Sequence, residues 1–111
     1  MKVELQKHGS VTVVVPHDAL TETTVPELET ALQSSADQAG TRLVADLTRV
    51  PFADSAGIEF LLTFAGDPAA GALRPRLAGL SETVREALYL TDSLKQFLIF
   101  DSVEAAVRSY V

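Results

Sequence analysis

Apolar and polar residues change period several times along the chain, and each change marks an element. Val3 and Leu5 alternate with polar and charged neighbours, the two-residue period of a strand with one covered face. This predicts an edge strand over 2–7. His8-Gly9-Ser10 then supplies a turn. The run VTVVV at 11–15 is dense in β-branched residues and stops at Pro16, where the ladder loses a donor. Residues 16–23 are polar and read as a loop.

At Thr24 the period becomes helical. Thr24-Val25-Pro26-Glu27 has the form of a capping box, with Thr24 at the N-cap and Glu27 three residues on. Pro26 falls in the first turn, where its missing N–H costs nothing. Val25, Leu28, Ala31, Leu32, Ser35, Ala36 and Ala39 recur on one face, and Gly40 ends the helix. TRLVADL at 41–47 reads as a strand. Its unbroken Leu43-Val44-Ala45 suits burial on both faces.

A second helix opens at Asp54-Ser55 and runs to about Gly66. Asp67-Pro68 and Gly71 predict an irregular segment over 66–72. LRPRLAGL at 73–80 reads as a strand weakened in its middle by Pro75. Ser81 caps a third helix carrying Val84, Ala87 and Leu88. FLIF at 97–100 is a short strand. SVEAAVRSYV at 102–111 is a last helix with Val103, Ala106, Val107 and Tyr110 on one stripe. The order β-β-α-β-α-β-α-β-α predicts an α/β sheet with a mostly parallel centre.

Composition narrows the function. A chain of 111 residues fits one domain, and 47% hydrophobic residues supply a core for it. There is no Cys, hence no thiolate metal site, disulfide or thiol nucleophile. That fits a cytoplasmic protein. The net charge of −6 argues against binding to nucleic acid or to anionic lipid. The alternating N-terminus lacks the apolar run of a signal peptide, and no early run is long enough to insert in a membrane. The expectation is a soluble domain with a protein partner and no metal or cofactor.

The segment PFADSAGIEFLL at 51–62 carries the candidate chemistry. Small and polar residues stand between a strand and an apolar helix. Ala53-Asp54-Ser55-Ala56-Gly57 nearly matches a nucleophile elbow. Such a Ser needs a general base, and the two histidines, His8 and His17, lie upstream with no evident orienting acid. The chain is therefore not expected to be an enzyme. As plain architecture, Asp54 caps the helix while Ser55 and Gly57 permit a tight turn. As a modification site, Ser55 at a helix N-terminus would offer its phosphate the first backbone N–H groups.

Along the helix, Ile58, Leu61, Leu62 and Ala65 share one face. Phe60 and Phe64 lie four residues apart on another. A helix with two apolar stripes is deeply buried or docks a partner. Phe60 is the better candidate for contact, and Phe64 is equally suited to burial under 66–72.

DLTRVPFADSAGIEFLL at 46–62 resembles the signature of STAS domains, in particular of bacterial anti-sigma factor antagonists. Asp46, Phe52, Asp54, Ser55, Gly57 and Ile58 fall at the matching places. VPELETAL (25–32), LAGLSETVREAL (77–88) and FDSVEAAV (100–107) resemble other parts of the family, so nearly the whole chain is covered. The resemblance implies a single STAS-like domain over 1–111. It has a mixed central sheet of about five strands, with about four helices packed mainly on one side. It also implies that Ser55 is phosphorylated by a cognate anti-sigma factor, a serine kinase, and that a phosphatase resets it. The unphosphorylated form would bind the kinase and free the sigma factor, a partner switch in transcription regulation and stress response. Asp46, Asp54, Ala56 and Gly57 would surround the phosphosite, and Ile58, Phe60 and Phe64 would meet the partner. Asp18-Ala19-Leu20-Thr21 departs from the family's usual Gly-Glu-Leu-Asp, and Asp92 stands where a Gly is usual. A second resemblance is to the small STAS subunit of phospholipid-transport complexes, which docks on an ABC-transporter ATPase as a scaffold.

Overall fold

The structure is a computed structural model that describes residues 1–33, 42–64 and 74–110. Its elements are β1 (Val3–His8), β2 (Val11–Pro16), α1 (Val25–Gln33), β3 (Leu43–Asp46) and α2 (Ser55–Thr63), then β4 (Arg76–Ala78), α3 (Glu82–Leu90), β5 (Leu98–Phe100) and α4 (Val103–Arg108). A short 3-10 turn at Leu94–Gln96 leads into β5. The strands form one mixed sheet in the order β1-β2-β3-β4-β5. β1 runs antiparallel to β2, and the other neighbours are parallel.

Two-residue periodicity in β2 divides the core. Val14 faces one cluster, with Leu28 of α1, Ile58 and Leu61 of α2, and Val84 and Leu88 of α3. Val11, Val13 and Val15 face the other cluster, with Val44, Ala78 and Ala106 of α4. Successive parallel crossovers of one hand place α1, α2 and α3 on the same face. α4 follows the last strand and covers the opposite face. That both faces are covered explains why β2 is buried at every position.

Arg76 helps hold α4 in place. Its side chain is buried, with the guanidinium 3.8 Å above the Tyr110 ring and Nε donating to the Ser109 hydroxyl at 2.7 Å. The Tyr110 hydroxyl donates to the Leu43 carbonyl at 2.8 Å. The expected stripe of the last helix is present, but the helix stops at Arg108 and Tyr110 lies beyond it.

Several boundaries differ from expectation. The capping box at Thr24 does not form. The Thr24 hydroxyl donates to the Ala19 carbonyl at 2.6 Å and accepts from the Thr21 N–H at 2.9 Å, while Glu27 takes the Met1 amino group at 2.7 Å. The turn before α1 therefore uses up the groups a box requires. β4 has three residues because Pro75 just precedes it, giving no N–H while its carbonyl accepts from the Leu98 N–H at 2.9 Å. The later positions predicted for the first helix (Ser35, Ala36, Ala39, Gly40), with Ala65 and the segment 66–72, lie outside the described residues.

Candidate functional site

Parallel β2 and β3 end at the same edge of the sheet, so the loops that leave them run side by side. The loop after β3 is tied down first. Asp46 accepts from the Thr48 N–H at 3.0 Å and the Thr48 hydroxyl at 2.7 Å, and Val50 is buried. Phe52 is exposed at the tip. The two loops then pair. Leu20 and Ala53 form a parallel bridge, the Leu20 N–H donates to Phe52 at 3.0 Å, and the Asp54 N–H donates to Leu20 at 2.9 Å.

Asp54 starts α2 as its sequence context predicts. Its backbone is extended, with φ −89 and ψ −173, and Oδ1 accepts from the Gly57 N–H at 3.0 Å. Its other oxygen accepts from the Glu22 N–H at 3.1 Å. The Gly57 N–H above all holds the Asp54 carboxyl below its ordinary range; desolvation opposes it, and the Glu22 and Ala56 N–H groups add smaller lowering effects. One carboxylate thus caps the helix and fastens the neighbouring loop to it.

Gly57 permits this closeness. A Cβ there would overlap the Leu20 carbonyl oxygen and lie 2.7 Å from the Leu20 Cβ. The residue is needed for packing rather than for an unusual backbone angle.

Ser55 is the first residue of α2 and is exposed beside this clamp. The first-turn amides expected to receive its phosphate are not all open, because Asp54 already holds that of Gly57. Ala56 is half-buried and Gly57 buried. Asp46 is occupied by Thr48 rather than by the Ser55 turn. Among the three residues expected to meet a partner, Ile58 is a core side chain, 7% exposed. Phe60 and Phe64 are partly buried against the core and stack on each other, centroids 6.0 Å apart.

The side-chain contacts of both histidines are with β1 residues. His17 Nε2 lies 2.7 Å from a Glu4 carboxylate oxygen on β1, and His8 lies 3.3 Å from Gln6. Among the described residues no group of His, Cys, Asp or Glu converges as a metal site. No described helix is long and apolar enough to cross a membrane. Leu20 and Glu22 are the site residues that sequence reasoning missed. Only the position of the 18–21 stretch after the second strand pointed toward them.

The STAS domain family model matches residues 2–106. Solved structures share the fold. A Thermotoga maritima protein assigned as an anti-sigma factor antagonist superposes with a TM-score of 0.81 at 16% identity, over 96% of this chain and 92% of that one. An anti-sigma factor antagonist from Mycobacterium paratuberculosis gives 0.76 at 23% identity, over 97% and 92%. The anti-sigma factor antagonist SpoIIAA in its unphosphorylated form gives 0.68 at 20% identity, over 98% and 96%. No curated protein matches the sequence.

Proposed function

The chain belongs to the STAS domain family, and on that premise we propose that it is an anti-sigma factor antagonist switched by phosphorylation of Ser55. The unmodified protein binds a cognate anti-sigma factor serine kinase in the cytoplasm and frees the sigma factor. The kinase moves the γ-phosphoryl group of ATP to the Ser55 oxygen. ADP leaves, and the hydroxyl proton passes to a base of the kinase. A phosphatase restores the hydroxyl. The protein is acceptor and ligand, with no catalytic step of its own.

One observation carries this reading: Ser55 is exposed at the start of α2, while Asp54 beside it already holds the Gly57 amide. The hydroxyl is open to a kinase. Its phosphate would carry a charge of about −1.5 to −2 beside an ionised carboxylate. The helix dipole returns only about 0.3–1 kcal/mol. Burying that charge where no cation faces Ser55 itself costs more, so the partner is released.

Titration calorimetry of the kinase against three forms tests this. Phosphorylated protein should bind at least about tenfold more weakly than unmodified protein, or about 1.4 kcal/mol. Ser55→Asp should weaken binding less, and Ser55→Ala should bind but escape release. Mass spectrometry should find one phosphate, on Ser55. Ser81 and Ser102 should carry none, because their hydroxyls cap α3 and α4 by accepting from Val84 and Ala105. Equal affinities for the phosphorylated and unmodified forms would move the assignment to a scaffold on a transporter ATPase.

A further inference from the structure

A groove of about 530 Å³ runs along the seam between α1 and α2. Its apolar floor is made by Val25, Ala56, Phe60 and Leu62, and Glu29 and Glu59 line it from the two helices. A smaller depression of about 180 Å³ shares Glu29, Phe60 and Thr63 with it. Both glutamates are exposed, and among the described residues neither forms an ion pair.

We propose that this groove seats a basic, apolar segment of the protein partner: an aliphatic or aromatic anchor on the floor, with a Lys or Arg beside it between Glu29 and Glu59. This rests on the reading that the protein binds a kinase through the Ser55 face. The groove begins at Ala56, next to Ser55, so the acceptor and the groove form one surface.

The chemistry of the lining selects the occupant. Two exposed carboxylates on the lining, without an ion pair among the described residues, favour a cationic side chain beside the floor. They also disfavour a phosphate, a fatty-acid carboxylate or nucleic acid in the same space, and the net charge of −6 acts in the same direction. The floor supplies what an interface anchor needs, apolar surface partly sheltered by a polar rim. The carboxylates would set partner choice and association rate more than total affinity.

Two probes test the proposal. The first is the purified kinase that modifies Ser55, titrated against wild type, Glu29→Gln/Glu59→Gln and Glu29→Lys/Glu59→Lys. The Gln pair should lower affinity about three- to tenfold, and the Lys pair by more than about tenfold. Both variants should flatten the loss of affinity between about 0.05 and 0.5 M salt. The second is a pair of helical peptides of about 14 residues, with identical Leu anchors flanked by Lys in one and by Glu in the other. Amide shifts in α1 and α2 should move with the Lys peptide only.

Unchanged kinase affinity in folded variants, or equal response to the two peptides, overturns the proposal. If no kinase binds wild type, the functional reading fails, and the peptides alone still decide the groove.

Discussion

The Leu20 carbonyl rests against Gly57 so closely that a methyl group at that position would overlap it. Leu20 follows β2 and Gly57 lies in the first turn of α2, so this contact sets the spacing of the two loops that frame Ser55. Gly57→Ala should therefore reverse the usual effect of replacing a helical glycine. Ala gains about 1 kcal/mol in helix propensity, but overpacking costs about 1–3 kcal/mol. Allowing for relaxation, a net loss of about 1 kcal/mol is expected, or about 4–8 °C in Tm. Calorimetric melting checks this, and a raised Tm would show that the loop moves aside freely.

Asp54 should contribute to acid sensitivity. Its folded pKa is lowered from 3.8, chiefly by the Gly57 N–H. Its stabilising effect is therefore present above the unfolded carboxyl value and is lost as pH falls through the lower folded value. Asp54→Asn keeps a good N-cap near neutral pH. Urea unfolding at a series of pH values should show a shallower loss of stability below about pH 4 in the variant. Some slope should remain, because Glu4 is also held low, first by Gln6 and then by smaller effects that include His17. Identical acid limbs would refute this role for Asp54.

Phe60 is partly buried and stacked on Phe64. Phe60→Ala should cost about 1–2 kcal/mol of stability, less than the roughly 3–5 of a fully buried ring. It should also weaken binding to the partner at a temperature where the variant remains folded. Phe60→Leu should recover most of the stability and only part of the binding. Equal recovery of both would make Phe60 purely structural.

Asp92 closes α3 in the left-handed region, at φ 56. Its N–H donates to Tyr89 at 3.1 Å and that of Ser93 to Leu88 at 2.8 Å, the paired bonds of a Schellman ending. Its ion pair with Lys95, 3.5 Å long between exposed side chains, adds little. Asp92→Gly should raise stability by about 0.5–1 kcal/mol, while Asp92→Ala should lower it. Chemical denaturation of the two variants gives the sign of each.

The parts readable in the sequence are those fixed by neighbours along the chain. The alternation around Val3 and Leu5, the β-branched run at 11–15 and the caps at Asp54 and Ser81 all belong to this kind. Thr24 shows the limit. Its hydroxyl had several nearby partners, and the Ala19 carbonyl took it because of how the loop closes. Pro75 was visible as a fault in a strand, but its place at the strand's start depends on pairing with β5. Leu20 and Glu22 were hidden for a stronger reason. They reach the site only because parallel strands bring two distant loops to one edge. The sequence likewise marked Ile58 as apolar without showing that the core would absorb it.

Asp54 reaches Glu22 across a sequence separation of 32, a bond that requires the loops after β2 and β3 to lie side by side. Ser55 therefore lies in a short local peptide but depends for its setting on long-range assembly. A nascent or misfolded chain would present the hydroxyl without the clamp, and a kinase that recognises the clamp would pass it over. On the proposed reading, phosphorylation of Ser55 would be conditional on folding, and the signal would count only finished molecules.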